Sequence, residues 1–475
     1  MRALIPVLFV SFVCFASAKY EGYQVWRIKP TTENQMRWLS YIEENMGEEF
    51  DFWTGVTRIP GHPVDVMVQP NSQDTLRMLL KQEKLDFDIM IDDVNTLVSN
   101  QMAEILARQE GEQSIGTRLA NFDYNVYHTY EEIQEWVDYM VDKYSATLQI
   151  SSFLLGNSYE GRTIQGIKIR GAGSQSTNPP AVWFEGGIHA REWVSPATVM
   201  GFTQKVDKED RVGIHAREWV SPATVMGFTQ KLIDEYEEGD PLVQRMFDNI
   251  DWYIVPSLNV DGYHHTWTQD RMWRKTRSPN KASVCKGTDP NRNWPYEWGG
   301  VGASSSPCSE TYRGSQALSE VEVANVVNFL RERKAEGQDF LVFIDWHSYS
   351  QLIIAPWSYL ESNARTEHYD EQMAMAAAMA DAIRDTHGKR YDHGVGAEIL
   401  YASSGSSKDY GYATFELGGA ITNGGLGAKY SYTVELRDTG RYGFTLPENQ
   451  IQPTYEEIHA AVRVIGDRVL SELGL

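Results

Sequence analysis

Cysteine is scarce, with three residues in a chain of 475, which excludes a small scaffold stapled by disulfides. Positive charge is in deficit. Lys and Arg number 43 against 65 Asp and Glu, a formal net charge of −22, which speaks against binding DNA, RNA or an anionic membrane face. Beyond the N-terminus no apolar run reaches the ~18 residues of a spanning helix, so the mature protein is expected to be soluble. There is no G-x-S-x-G elbow, which counts against a serine hydrolase. Aromatic residues are plentiful, with 14 Trp and 25 Tyr, in keeping with a large packed enzyme and an aromatic-lined cleft. At 42% apolar and 23% charged, the chain can bury a core and has room for two or three domains.

The N-terminus indicates a compartment. Met1 and Arg2 are followed by an apolar run over 3–15 (ALIPVLFVSFVCF) and then Ala16-Ser17-Ala18. This reads as a secretory signal peptide over 1–18, too short to span a bilayer comfortably and ending in small residues. A secreted, extracellular protein is expected, with an N-terminal anchor as the alternative. Cys14 leaves with the signal. Cys285 and Cys308 are then expected to pair in an oxidising compartment, the alternative being two buried free thiols.

Residues 19–118 read as a small α/β open sandwich. Strands are expected at 23–28, 50–59, 63–68 and 87–91, and helices at 34–46, 75–83 and 92–108, in the order βαββαβα. The stretch 109–118 (QEGEQSIGTR) is polar and ends in Arg, which suits a cut by a trypsin-like protease. Residues 119–475 read as one α/β domain, a mixed, mostly parallel sheet flanked by helices. Its strand candidates include 164–169, 181–184, 252–255, 341–344 and 430–436. Several are continuous apolar runs, as in strands covered on both faces.

One repeat stands out. Residues 187–205 and 213–231 share the same nineteen letters, GIHAREWVSPATVMGFTQK, offset by 26. Two identical copies do not make a solenoid. They mark a recent local duplication or an error in the gene sequence.

The chemistry-bearing residues are scattered. His189 and Glu192 follow the apolar strand AVWF and a Gly-Gly, where a strand end can aim both at one metal. His347 follows LVFI in the same way. Together they give a His₂Glu set with an open position, the pattern of a catalytic zinc. Glu435 is a carboxylate inside an apolar strand, costly unless paired or functional. Its bland alternative is an ion pair with Arg437 or Arg441. Arg271, Arg274 and Arg292 offer guanidinium forks suited to a carboxylate.

The ordered set YEGR, HAREW, RMWRKTR, DPNRNW, SSSPCSETYRGS, HSYSQLI and ELRDTGRYGF resembles the zinc metallocarboxypeptidases of the digestive A/B type. The likeness runs from about residue 127 to the C-terminus, and the front domain resembles that family's activation propeptide. The resemblance implies a zymogen over 19–118 and 119–475 with one Zn²⁺ per chain, acting on peptides with a free C-terminus. His189, Glu192 and His347 match the zinc ligands. Glu435 matches the general base that takes a proton from the attacking water and passes it to the leaving amine. Arg274 matches the residue that stabilises the oxyanion. Asn291, Arg292 and Tyr401 match the clamp on the substrate's terminal carboxylate, and Arg191 and Arg271 match secondary subsites. Asp289 matches the carboxylate behind the first zinc histidine, and Cys285–Cys308 the family's disulfide. A monomer, free of nucleic acid and membrane, is expected.

The departures are informative. Lys408 stands where the family places the floor of the pocket for the terminal side chain, so a preference for C-terminal Glu, then Asp, is expected. Alternatively a neighbour such as Glu398 neutralises it. One zinc site can use one copy of the repeat only. His189/Glu192 is favoured over His215/Glu218, because AVWF can be a buried strand and KEDRV cannot. A chimera with the first copy's strand and the second copy's helix is also open. A Gly-rich insert lies between Asp409 and Tyr430. The alternative function is an inactive or misassembled homologue that only binds peptide C-termini.

Overall fold

The structure is a computed structural model that describes residues 18–47, 49–57, 59–111, 122–193, 220–360, 364–415 and 424–475. Residues 1–17 of the expected signal segment, residues 112–118 of the expected cut region and His215/Glu218 lie outside them. The front domain follows the expected order: β1 (Gln24–Lys29), α1 (Glu33–Met46), β2 (Phe50–Phe52), β3 (Val64–Val68), α2 (Gln73–Gln82), β4 (Asp86–Ile91) and α3 (Val94–Gly111). Its antiparallel sheet runs β2-β3-β1-β4. Thr32 caps α1 by accepting from Gln35 N–H, and Met36, Leu39 and Ile42 turn its apolar face to the sheet. The strand expected over 50–59 is shorter, ending at Phe52. Trp53, Thr54 and Gly55 instead form a loop toward the second domain. Helix α3 continues to Gly111, into the polar stretch 109–118.

The second domain holds an eight-stranded sheet, ordered β11-β10-β12-β9-β7-β8-β6-β5. Its strands are β5 (Leu148–Asn157), β6 (Thr163–Gly171), β7 (Ala181–Gly186), β8 (Asp251–Val255), β9 (Phe340–Ser348), β10 (Leu352–Ala355), β11 (Asp392–Val395) and β12 (Tyr430–Leu436). The centre, β12-β9-β7-β8, is parallel, and antiparallel pairs flank it. In β7, Val182 and Phe184 join one core and Ala181 and Trp183 the other, which is why the run is apolar throughout. Helices α4 (Tyr130–Tyr144), α5 (Val220–Glu237), α6 (Pro241–Asn249), α7 (Val260–Thr268), α8 (Val321–Ala335), α9 (Tyr369–His387), α10 (Gly396–Ile399), α11 (Ser407–Tyr412) and α12 (Ile451–Glu472) complete the domain. α4 opens on a reciprocal capping box between Thr129 and Glu132. Helices α9 and α12 cover one face with α5, while α8 covers the other. Among the described residues no helix is long and apolar enough to cross a membrane.

Among the described residues the two copies contribute different parts. β7 leads into the first copy's His189 and Glu192, whereas α5 comes from the second copy and continues into LIDEYE. The Gly-rich insert leaves β12 intact. Gly425 N–H donates to Thr414 C=O and Leu426 N–H to Tyr410 C=O, both at 2.9 Å, so the flanks of the insert are tied together.

Candidate active site

Parallel strands β7, β9 and β12 end on one edge of the sheet, where α/β folds hold their ligands. Beyond β7, Gly187 turns with a φ of +66°, and the chain presents His189 and Glu192. β9 presents His347, and the register sets Glu435 of β12 directly beside it. The Nδ1 atoms of both histidines face one carboxylate: His189 lies 2.5 Å from Glu192 Oε1 and His347 lies 2.6 Å from Oε2. All three side chains are buried, and their ligand atoms lie within 4.8 Å of one another. Three converging donors of this type fit a zinc ion with an open position. Burial alone would raise Glu192, but the two histidines hold it far below the ordinary carboxylate range. Burial would likewise lower His347, and Asp345 and Glu192 push it well up.

The outward nitrogen of each imidazole also meets a carboxylate. His189 Nε2 is 2.8 Å from Asp289 Oδ1, and His347 Nε2 is 2.8 Å from Asp345 Oδ2. Asp289 further accepts from Arg274 at 2.8 Å and from Asn291 N–H at 3.0 Å. Against its burial, Arg274 and His189 keep it well below its usual range. Arg274 also reaches Glu192 at 3.4 Å. Burial raises Glu435 to about 8, countered by His347 and reinforced by Glu192. Its suggested partner Arg437 is engaged by Glu457, so the ion-pair alternative for Glu435 does not hold with that residue.

Asn291, Arg292, Tyr401 and Lys408 line the same cleft as His189, Glu192, His347, Arg274 and Glu435. Arg292 donates to Gly302 C=O at 2.7 Å and comes within 3.5 Å of Tyr401 Oη. Lys408 is buried, with Nζ 3.4 Å from Ser406 Oγ and 3.9 Å from Asp409 Oδ1. Burial lowers its pKa, partly offset by Asp409. Asp409 is itself occupied by Ser358 and Tyr359 N–H at 2.9 and 3.0 Å. Glu398 is not the neutralising neighbour, since it pairs with Arg365. Arg191 and Arg271 face the front domain. Arg191 meets Asp51 at 2.8 Å and Arg271 meets Gln101 at 2.8 Å.

Trp53, Thr54 and Gly55 of the front domain complete the cleft wall. What remains is a cavity of about 60 Å³, room for a few waters and not for a peptide end. Sequence reasoning missed this lid and missed Asp345 and Ser407. The Asp345 signal was available, because residues two apart on a strand share a face. Cys285 and Cys308 form a disulfide with Cα atoms 5.1 Å apart.

The comparisons agree with this geometry. The family profile described as zinc carboxypeptidase matches residues 133–209 and 211–461, and that described as carboxypeptidase activation peptide matches 26–101. Carboxypeptidase A1 of Bos taurus is 34% identical, with 100% of each chain covered. Carboxypeptidase B of Homo sapiens is 33% identical over 99% of this chain and 100% of its own. The crystal structure of carboxypeptidase A from Helicoverpa armigera superposes with a TM-score of 0.75 at 25% identity, covering 94% of this chain and 98% of that one. The chain belongs to the zinc carboxypeptidase family and carries that family's activation peptide, and it is therefore a metalloprotease made as a zymogen.

Proposed function

We propose that the chain is a secreted carboxypeptidase that removes C-terminal residues, Glu first, after a trypsin-like protease has cut within 109–118. The observation that carries the reading is the convergence of His189, Glu192 and His347 beside Glu435 in a cleft with one buried ammonium, Lys408. The leader over 1–18 and the disulfide support secretion. A zinc ion held by the three ligands supplies a Lewis acid and an activated water. The chain's own residues do the rest. Glu435 takes the proton of the attacking water and returns it to the leaving amine. Arg274 donates to the oxyanion as charge develops on the scissile carbonyl. Asn291, Arg292 and Tyr401 grip the terminal carboxylate, which selects chain ends over internal bonds. Lys408 is available to the terminal side chain, because Asp409 is spent on backbone N–H groups.

The test uses full-length zymogen cut with trypsin and matched peptides ending in Glu, Phe or Arg, with and without a zinc chelator. The expected result is chelator-sensitive release with Glu fastest. Release of Phe or Arg first would remove the Lys408 assignment and leave the enzyme. No release by soluble, cut protein would overturn the reading.

A further inference from the structure

Asp345 has no role in the reaction as derived so far, yet it is fully buried in the centre of an apolar strand. A carboxylate there carries a heavy desolvation cost unless it is compensated. Two groups compensate it. Asp345 Oδ2 lies 2.8 Å from His347 Nε2 and accepts from Ser407 Oγ at 2.5 Å. Its other oxygen, Oδ1, is buried without a hydrogen-bond partner. Ser407 opens α11, next to Lys408, and its N–H donates to Asn291 Oδ1 at 2.9 Å.

The arrangement repeats the one behind the first histidine. Asp289 holds His189 Nε2, and Asp345 holds His347 Nε2, each at 2.8 Å. A histidine that binds metal through Nδ1 must keep its proton on Nε2. Asn291 Nδ2 also lies 3.0 Å from His347 Nε2 but can only donate, so Asp345 is the acceptor that holds that proton and the ring plane. We propose that Asp345 is a positioning residue for His347, aiming Nδ1 at the metal, and that Ser407 steadies Asp345 from the helix that carries Lys408. Asp345 does not line the cleft and bonds the metal site through the imidazole, while its charge also acts on Lys408 and Glu435. This rests on the zinc reading of His189, Glu192 and His347.

The experiment measures zinc affinity of the full-length zymogen by competition with a chromophoric chelator. Removal of an outer carboxylate of this kind costs about 10- to 100-fold in affinity. Asp345→Ala is expected to weaken zinc by that factor. Asp345→Asn, which keeps an acceptor and loses the charge, should lose less. Ser407→Ala should fall in the same direction by a few-fold. The visible spectrum of the Co²⁺-loaded Asp345→Asn zymogen should shift, since it reports ligand geometry, whereas a purely structural role would leave it unmoved. If Asp345→Ala does not fold, Asp345→Asn and Ser407→Ala decide. Zinc affinity within twofold of the parent in folded Asp345 variants, with an unmoved Co²⁺ spectrum, overturns the proposal. Failure of the underlying zinc reading is separately visible, as a His347→Ala zymogen that keeps its zinc.

Discussion

Lys408 shows how one residue can carry specificity. Burial lowers its pKa from an ordinary 10.5, partly offset by Asp409, so its ammonium is lost earlier than usual as pH rises. An acidic terminal side chain needs that ammonium, and a neutral one does not. The preference for Glu over the near-isosteric Gln should therefore decay as pH rises, at a pH below 10.5. A ratio of kcat/KM values that stays flat across that range would refute the assignment. Replacing Lys408 with Ile removes the charge and leaves an apolar floor. Glu should lose about 10-fold or more in kcat/KM, roughly 1.4 kcal/mol, and Phe or Leu should gain. Retained Glu preference in that variant would show that selectivity lies elsewhere in the cleft.

At the scale of elements, the duplicated stretch explains what was legible in the sequence and what was not. Continuous apolar runs such as AVWF and LVFI announced the buried parallel strands β7 and β9. The edge strands β5 and β11 were overlooked, since LQISSFLLGN and DHGV are not continuous apolar runs, and β10 was overlooked because its apolar run LIIA is only four residues long. The two copies of the repeat have identical internal propensities, so only their flanks could discriminate. AVWF favours the first copy as strand end, and LIDEYEEGDP favours the second as helix. The fold uses both, with Trp193 closing one half and Val220 opening the other. The Asp51–Arg191 ion pair was illegible because 140 residues separate its members. Deleting 194–219 joins Trp193 to Val220 and regenerates one seamless copy of the nineteen letters. That variant should keep one zinc per chain and activate normally, with stability unchanged or raised by about 1–2 kcal/mol, because the connection from β7 to α5 is 26 residues shorter. Loss of zinc on deletion, or zinc retained in a His189→Ala chain, would assign the metal to the second copy.

At the scale of the molecule, the front domain closes the cleft by contacts spread around its rim. Asp51 takes Arg191, Gln101 takes Arg271, Asp65 takes Tyr349 Oη at 3.0 Å, and Arg27 donates to Thr439 C=O at 2.8 Å. Near the chain's start, Lys19 and Tyr20 both bond Asp270. Arg191, Arg271 and Asp65 are buried in these links, so losing one partner is costly, and steric fit at the centre acts beside them in keeping the zymogen shut. There Gly55 lies against the ring of Tyr401, and a Cβ built on it would overlap three ring carbons. Glycine is thus required by close approach, not by backbone angle. Gly55→Leu should lift the loop from Tyr401 and shift the closed domain toward open states. A shift of about 1.4 kcal/mol would raise the turnover of a small dipeptide by uncut zymogen tenfold. The same substitution should leave the cut enzyme unchanged, because residue 55 belongs to the domain that proteolysis releases. Comparing uncut and cut forms of both proteins therefore separates a loosened lid from a damaged site. Uncut Gly55→Leu as silent as the parent would mean that the ring of salt links, not the fit at Tyr401, keeps the cleft closed.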